Sequence, residues 1–372
     1  MSSRANSVLV AMSGGVDSSV AAWMLLDRGY EVTGVFLRMG TAGPAEESLR
    51  GCCSRQDAAD ARRVAEELGI ELYVLNAAED FEAIIQDFAD QYARGRTPNP
   101  CIHCNARIKF ARLLALADST GADFVATGHH ARMASVGGRA MILRGRAVGK
   151  DQSYALFAVA RSHLPRILLP VGELTDKAEV RRIARSVGLP VHDKPDSQEI
   201  CFIGDGEGAP RHASLLARRA PEALRAGDIV DSAGRVLGRH EGFARFTIGQ
   251  RRGLGVAAGV PMYVTRIDPA SATVTIGPQE EVMGSSLSAS AANWHADVKG
   301  EFDATVQVRY NQGSPPRGIA AGCPRGGALG RVRITGADTF EVRFARPVAA
   351  ITPGQAAVVY DGQILLGGGW IG

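Results

Sequence analysis

Short apolar runs alternate with segments of helical periodicity over the first third of the chain. The runs predict strands at residues 8–12, 32–37, 72–75 and 124–127. Apolar positions at helical spacing predict helices at 17–28, 55–68, 81–92 and 106–117, and a further pair at 152–160 and 177–187. Strands that alternate with helices favour an α/β fold with a parallel sheet, in which ligands bind beyond the carboxyl ends of the strands.

After residue 226 the pattern changes to short strands separated by glycine turns. The predicted strands are 228–231, 235–239, 244–248, 262–268, 273–276, 305–309, 330–334, 339–343 and 356–360. Such a pattern is typical of small β-barrels. Residues 204–210 are glycine-rich and predict a hinge or exposed loop, and 311–327 predict a mobile insertion. We therefore expect three domains: 1–205 with the parallel sheet, a small central β-rich domain at 206–278, and a C-terminal β-barrel at 279–372.

The composition is that of a soluble globular enzyme, with 45% hydrophobic and 22% charged residues among 372. No apolar run is long enough to span a bilayer and the first residues do not form a signal peptide, so we expect a cytoplasmic protein. The net charge of +3 does not by itself indicate a nucleic-acid partner. Five of the 42 basic residues are lysines and the rest are arginines. Arginine suits phosphate contacts and stacking on bases, although codon bias explains the excess equally well.

Residues 13–19 read Ser-Gly-Gly-Val-Asp-Ser-Ser, between the first predicted strand and the first predicted helix. Such a junction presents backbone N–H groups at the positive end of a helix and predicts a phosphate site. A serine-rich turn with an ordinary helix cap is the alternative. The stretch lacks the Gly-Lys-Ser/Thr ending of the common P-loop. It resembles instead the loop of PP-loop ATP-pyrophosphatases, which implies cleavage of ATP between the α- and β-phosphates.

Six cysteines occur in the chain, and in a cytosolic protein they are more often reactive or metal-binding than paired in structural disulfides. Cys101 and Cys104 form a Cys-x-x-Cys pair after two prolines, and we expect a helix to begin near Asn105. Cys104 would then lie close to a helix N-terminus, which lowers the pKa of a thiol. Half of a zinc site, ligands of an iron–sulfur cluster, and a nucleophile all remain open. The polar, turn-rich surroundings argue against a simple buried thiol.

Cys201 lies 97 residues beyond Cys104, among polar residues before the predicted hinge. If the fold brings both thiols to the ATP site, they suit sulfur delivery. One cysteine would carry a persulfide, and the other would resolve the intermediate by disulfide exchange.

Together these stretches resemble the tRNA-specific 2-thiouridylases, the MnmA or TrmU family. The matching stretches are residues 13–19, 52–54 with Asp57 and Asp60, 95–110, 127–129, 150–154, 196–203, 247–255, 309–310 and 352–355. The resemblance covers nearly the whole chain. It implies a PP-loop domain, a small central domain and a C-terminal β-barrel. The implied reaction is ATP-dependent 2-thiolation of the wobble uridine, position 34 of tRNA, with release of AMP and pyrophosphate.

The resemblance also implies roles for individual residues. Cys104 is the expected nucleophile and Cys201 the expected persulfide carrier, with a Cys104–Cys201 disulfide as their product. The residues expected to hold ATP are Ala11, Met12, Ser13, Gly14, Gly15, Val16, Asp17, Ser18, Met39 and Gly128. Those expected to touch the target uridine or the tRNA are Asn99, Pro100, Cys101, His129, Lys150, Asp151, Gln152, Arg309, Tyr310 and Gln355.

Asp17 is expected to act on the Mg²⁺ side of the phosphates or to orient them, with helix capping as the alternative. Arg251 and Arg252 are expected to grip the tRNA backbone, unless they form an ordinary solvated surface. An upstream sulfur carrier or cysteine desulfurase is the expected partner.

Three departures from the family stand out. Several relatives have Asp where Cys101 stands, His130 replaces a tyrosine, and the insertion at 311–327 is longer than expected. Three other functions stay open. One is a PP-loop ligase that adds an amine, and another is a thiolase in which Cys101, Cys104 and Cys201 bind an iron–sulfur cluster. The third is a tRNA-binding protein without catalysis.

Overall fold

The computed structural model describes residues 5–40, 54–196, 200–203, 212–310 and 326–372. Cys52, Cys53, Cys323, the predicted hinge and most of the predicted insertion lie outside them. The chain divides into two compact units: unit 1 comprises Met1–Ile84, Pro100–Gly204 and Gln363–Leu365, and unit 2 comprises Ile85–Asn99, Asp205–Gly362 and Leu366–Gly372. The predicted three-domain boundaries stay a prediction.

Unit 1 is built on a parallel sheet between helices. Its elements are β1 Ser7–Ala11, α1 Val16–Asp27, β2 Glu31–Arg38, α2 Arg55–Leu68, β3 Leu72–Asn76, α3 Ala78–Ala93 (which runs on into unit 2), α4 Pro100–His103, a π-helix Cys104–Phe110, α5 Ala111–Thr120, β4 Phe124–Ala126, a hairpin of β5 Ala131–Val136 and β6 Arg139–Arg144, β7 Ile167–Leu168 and α6 Lys177–Ser186. Short 3-10 turns follow β6, including Ser153–Leu156. The core lies between the sheet and α1, α2 and α6, and includes Val8, Val10, Val20, Val64 and Val180.

The strand order in this sheet is β3-β2-β1-β4-β7. Val8 of β1 pairs in parallel with Val32 of β2 on one side and with Phe124 of β4 on the other. The chain order therefore reverses between β1 and β4. In a parallel sheet that point opens a crevice at the carboxyl ends of the strands, where ligands bind. The loops that follow β1 and β4 both begin there.

Unit 2 contains α7 Ala213–Arg219 and two β structures. The first is a sheet of β8 Gly227–Val230, β9 Val236–His240, β10 Tyr263–Asp268 and β11 Thr273–Gly277, in the order β10-β11-β8-β9. The second has β12 Met283–Trp294, β13 Glu301–Gln307, β14 Ala328–Ile334, β15 Phe340–Ala349, β16 Ala356–Asp361 and β17 Ile364–Ile371, of which the first two residues belong to unit 1. Their order is β12-β15-β14-β13-β16-β17, and β12 also pairs with β17. That last pairing closes a barrel, which confirms the predicted C-terminal β-barrel.

Several predicted elements are wrong. Residues 152–160 contain the 3-10 turn Ser153–Leu156 rather than an α-helix. Residues 244–248 do not form a strand, and the 3-10 turn Phe243–Arg245 overlaps their start. The helix expected from Asn105 begins at Pro100 instead. Proline is tolerated in the first turn because no N–H is needed there. Within the described residues, no helix is both long and apolar enough to cross a membrane.

Candidate active site

The predicted phosphate loop, residues 13–19, joins β1 to α1 at the crevice between β1 and β4. Gly15 is the residue before α1, and no side chain caps the helix from that position. The amide of Ser13 donates to the Ser18 hydroxyl at 3.1 Å, and that hydroxyl donates to the carbonyl of Gly15 at 3.1 Å. These bonds fold the loop on itself over the first turn of α1. The first turn of a helix has backbone N–H groups without intrahelical partners, which suits an anion, and phosphate binding at this loop stays a prediction.

Two glycines allow other backbone segments to approach this loop. Gly14 has a φ of +70°, and a Cβ there would lie 2.2 Å from the carbonyl oxygen of Asp57. Gly128 follows β4, and a Cβ there would lie 2.5 Å from the amide nitrogen of Ser18. A side chain at either position would collide with backbone, so the loop requires glycine at both.

The carboxylate of Asp17 binds two cationic or polar side chains. The Lys177 ammonium nitrogen lies 2.7 and 2.6 Å from its two oxygens, and Nε2 of His130 lies 3.1 Å from one of them. Burial raises the pKa of Asp17, but the His130 hydrogen bond and the Lys177 charge outweigh it, so the pKa lies below its ordinary value. Asp17 is thus an ionised carboxylate that faces two other elements of unit 1.

Asp196 is held in a similar way. Its partners are Lys177 at 2.8 Å, Lys150 at 2.9 Å and Arg181 at 3.4 Å. Burial opposes ionisation, but the hydrogen bonds and charges of Lys177 and Lys150 lower the pKa of Asp196 to about 2. Lys177, Lys194 and Asp196 were missed as candidates. The scarcity of lysine was an available signal, because three of the five lysines lie in this region.

Cys104 begins the π-helical stretch and is 8% exposed. Its sulfur lies 3.9 Å from the sulfur of Met39, the residue after β2. The thiol therefore reaches the carboxyl end of the sheet from the α4 side. It lies in the second helical turn after Pro100, so the expectation of a polar, turn-rich setting at a helix N-terminus is wrong.

The other two described cysteines differ in exposure. Cys101 is exposed and Cys201 is half-buried, and all three are thiols rather than disulfides. Phe202, next to Cys201, packs edge-on against Phe81 with ring centroids 5.7 Å apart. Among the described residues, no group of three or more His, Cys, Asp or Glu side chains is arranged to hold a metal ion. These cysteines are therefore not gathered as cluster ligands in this structure.

Known proteins match the chain over almost its whole length. Family profiles described as "tRNA methyl transferase HUP domain", "tRNA methyl transferase PRC-barrel domain" and "Aminomethyltransferase beta-barrel domain" match residues 6–205, 213–278 and 284–371. A protein of Rhodopirellula baltica named tRNA-specific 2-thiouridylase MnmA is 46% identical over 98% of this chain and 96% of its own length. Proteins of the same name from Carboxydothermus hydrogenoformans and Geobacter metallireducens are 46% and 43% identical over 98% of this chain, and over 97% and 96% of their own lengths. The chain belongs to the tRNA-specific 2-thiouridylase family.

One solved structure, a 4-thiouridine synthetase–RNA complex with bound ATP, is 22% identical. It covers 58% of this chain and 51% of that chain, with a TM-score of 0.36, and carries no functional argument.

Among the residues that the 2-thiouridylase family implies for tRNA contact, His129 is buried beside the π-helix Cys104–Phe110. The side-chain amide of Asn105 donates to the carbonyl of Ala155 at 3.1 Å, which turns its oxygen to Nε2 of His129 at 3.2 Å. Nδ1 of His129 lies 2.7 Å from the Thr127 hydroxyl. Nε2 therefore carries the proton, and Nδ1 accepts from Thr127. The His129 ring therefore holds the side chain of Asn105, the residue that follows Cys104, in place.

The neighbouring residues 150–152 also make contacts inside unit 1. Asp151 accepts from the amides of Gly145 and Ser153 at 2.9 and 3.0 Å. The Gln152 side chain accepts from the amide of His130 at 2.8 Å. Pro100 is buried at the start of α4. Asp151 and Gln152 thus fix the backbone of nearby segments of unit 1. Contact of residues 150–152 with tRNA stays a prediction.

Six further residues that are expected to contact tRNA lie in unit 2. Arg309 donates to the carbonyls of Ala349 and Ala350 at 2.6 and 2.8 Å. The Gln355 amide donates to the carbonyl of Thr97 at 2.7 Å, and Asn99 is half-buried. Tyr310 is 37% exposed, and Arg251 and Arg252 are exposed. Contact of these six residues with tRNA also stays a prediction.

Proposed function

We propose that this chain is an ATP-dependent tRNA-uridine 2-sulfurtransferase that acts on the wobble uridine at position 34. The observation that carries the proposal is one crevice with two kinds of chemistry. Unit 1 places an anion-binding loop after β1 and the Cys104 thiol against Met39, after the adjacent strand β2. An adenylation site needs the first feature, and sulfur transfer needs the second. A relative named tRNA-specific 2-thiouridylase is 46% identical over 98% of the chain, which supports the proposal.

The first step we propose is activation of the base. The uridine leaves its stack in the anticodon loop, where single-stranded bases unstack readily. Its O2 attacks the α-phosphate of ATP and pyrophosphate leaves. The N–H groups of the phosphate loop and the first turn of α1 stabilise the negative charge on the phosphates. Ala11 to Ser18, Met39 and Gly128 are the residues that we propose border the nucleotide.

The second step is sulfur transfer. The terminal sulfur of a Cys201 persulfide attacks C2 of the adenylated uridine and AMP leaves. The Cys104 thiolate then attacks the Cys201 sulfur, which forms a Cys104–Cys201 disulfide and leaves the second sulfur on C2 as the thione. In the alternative order, Cys104 first releases hydrosulfide from the persulfide, and hydrosulfide attacks C2. Either route requires a thiol reductant afterwards, and a sulfur carrier or cysteine desulfurase to reload Cys201.

We expect Mg²⁺ to bind together with ATP, because the described side chains do not by themselves form a metal site. Asp17 already binds Lys177 and His130, so we expect the phosphate oxygens of ATP to be the main ligands of Mg²⁺. For an iron–sulfur cluster, the part of the chain that the structure describes gathers no set of ligands. Iron and acid-labile sulfide in anaerobically purified protein would test it. We place the reaction in the cytoplasm, where this class of substrate is found.

Nucleoside mass spectrometry tests the function. Unmodified tRNA is incubated with the protein, ATP and a sulfur donor, then digested to nucleosides. We expect 2-thiouridine, formed with AMP and dependent on both ATP and the donor, and none from a tRNA that carries cytidine at position 34. A methylated nucleoside instead would support the reaction that two of the profile descriptions name. AMP and pyrophosphate without thiolation would favour an amine-adding ligase, and no nucleotide cleavage would favour a binding protein.

A further inference from the structure

Lys194 reaches from the segment before Cys201 to the phosphate loop. Its ammonium nitrogen lies 2.9 Å from the carbonyl oxygen of Gly14, 2.6 Å from Asp57 and 2.5 Å from Asp60. An ammonium group has three N–H donors, so these three oxygens use all of them. We propose that Lys194 is a positioning residue that locks the peptide between Gly14 and Gly15 in the orientation that binds the phosphates.

The lock follows from the geometry of one peptide. The carbonyl of Gly14 and the N–H of Gly15 belong to the same planar trans unit and point in opposite directions. While Lys194 holds the carbonyl on the α2 side, the Gly15 N–H faces the other side, with the first N–H groups of α1. A flip of this peptide would turn a carbonyl oxygen toward the phosphates. Glycine on both sides gives this peptide the least steric resistance to a flip.

The two carboxylates that share Lys194 are themselves fixed. Asp57 is in the first turn of α2, and its other oxygen accepts from the amide of Ser54 in a capping box. Asp60 also accepts from Gln56 at 2.8 Å and from Arg63 at 2.5 Å. Asp57 and Asp60 are buried, whereas Arg63 is largely exposed. The ammonium group is therefore held against a rigid helix end.

The same segment is attached to the loop a second time, two residues later. Asp196 binds Lys177, and Lys177 binds Asp17 in the first turn of α1. Lys194 and Asp196 thus contact the phosphate loop and the start of α1 from one short stretch of chain. Cys201 lies seven residues after Lys194 in the sequence. The lock therefore links the orientation of the loop to the anchoring of the chain that leads to the sulfur carrier.

The test compares Lys194→Met with matched variants in the full-length protein. The probe is α,β-methylene-ATP, which cannot be split between the α- and β-phosphates, and its dissociation constant is measured by calorimetry. If the flipped peptide becomes the major form at about nine to one, the apparent affinity falls about tenfold. We expect that loss for Lys194→Met, with tRNA affinity unchanged. An affinity for the analogue within twofold of wild type would overturn the proposal.

Two further variants separate the lock from charge and from folding. Lys194→Met with Asp60→Asn restores the local charge without restoring a donor to Gly14, so affinity should stay low. Recovery to wild type would reduce Lys194 to a charge balance and overturn the lock. Arg63→Gln removes a cation from the same Asp60 but not from Gly14, and should bind the analogue normally. Equal losses in Arg63→Gln and Lys194→Met would also count against the lock.

Lys194→Arg is the test variant if Lys194→Met does not fold. It keeps the charge beside Asp57 and Asp60, but a planar guanidinium does not reproduce the three-way contact. Weaker analogue binding by a folded Lys194→Arg supports the lock, and unchanged binding opposes it. The inference rests on the proposed use of ATP. Wild-type protein that neither binds the analogue nor forms AMP would overturn that function, whereas wild-type activity with an unaffected Lys194→Met would overturn the lock alone.

Discussion

Asp17 and Asp196 share one ammonium group, that of Lys177, which lies 2.6 Å from the first carboxylate and 2.8 Å from the second. Asp17 is in the first turn of α1, and Asp196 belongs to the stretch that leads to Cys201. Lys177 is largely buried, with 14% of its side chain exposed. One largely buried cation thus bridges two carboxylates where the first turn of α1 meets the stretch that leads to Cys201.

Replacement of Lys177 by methionine should slow adenylation. Two carboxylates would then lie beside the bound triphosphate without their shared cation, and loss of a hydrogen bond to a charged group costs about 1.5–3 kcal/mol. We expect tRNA-dependent release of pyrophosphate to fall roughly ten- to a hundredfold. Lys299→Met is the matched control, because Lys299 is exposed and lies in unit 2. Similar rates for the two variants would show that the bridge is not needed.

The ion pairs of Asp196 should make stability depend on acid pH. The pKa of this carboxyl is lowered to about 2 from the model-compound value of 3.8, by its lysine partners and despite burial. A lowered pKa gives stability that is present above the unfolded-state pKa and lost as pH falls through the folded-state value. Wild type should therefore melt at a higher temperature than Asp196→Asn at pH 7, and the difference should shrink between about pH 4 and pH 2. A difference that is constant across this range would contradict the assignment.

The sequence predicted the parts of this site that local patterns determine. Strand periodicity and the Gly-Gly turn located the phosphate loop, and Gly69 ended the helix that was expected at 55–68. Contacts between distant residues could not be predicted in this way. Asp17 and Lys177 are 160 residues apart, and Lys194 and Asp57 are 137 apart. Such pairs depend on how the chain returns to the sheet, which no local pattern encodes.

Two barrel strands escaped prediction for a different reason. β12 has the sequence Met-Gly-Ser-Ser-Leu-Ser-Ala-Ser-Ala-Ala-Asn-Trp, and β17 contains three consecutive glycines. Small residues lack the β-branched and aromatic signal of a strand. Gly367 has a φ of +148°, and a Cβ there would lie 2.4 Å from the carbonyl oxygen of Asn293 in β12. The close approach of β12 and β17 therefore requires small residues such as Gly367. The same small residues give no periodic apolar pattern from which a strand could be predicted.

Alanine at Gly128 should impair the nucleotide site more than the fold. The added methyl would lie 2.5 Å from the Ser18 amide nitrogen, so either α1 or the loop after β4 must shift. Such overpacking costs about 1–3 kcal/mol. We expect a higher KM for ATP in the thiolation assay, with KM for tRNA unchanged. Gly149→Ala is the control, because nothing lies within 4 Å of its added Cβ. An unchanged KM for ATP in Gly128→Ala would show that this contact is dispensable.

His129 should support Cys104 rather than the RNA. Its ring nitrogens meet Thr127 and Asn105, and the residue is 8% exposed. His129→Ala should lower the melting temperature and the thiolation rate but leave tRNA affinity within twofold. Tyr310→Ala is the contrasting variant, because its ring is exposed and its loss should weaken tRNA binding without lowering the melting temperature. If His129→Ala instead loses tRNA affinity at wild-type stability, the family-implied contact is the correct one.

The three described cysteines should separate into distinct roles. Cys201→Ser removes the proposed persulfide carrier but leaves the phosphate loop, so tRNA-dependent pyrophosphate release in a single turnover should persist while 2-thiouridine falls by at least about a hundredfold. Cys104→Ser should also abolish turnover, since we propose that its thiolate, which lies beside Met39, resolves the intermediate. In persulfide-loaded protein, Cys104→Ser should trap a Cys201-linked tRNA that thiols release, if the terminal sulfur attacks C2 directly. Cys101→Ser is the control, because Cys101 is exposed and neither proposed step uses its thiol. Loss of activity in all three variants, together with bound iron, would favour the cluster mechanism.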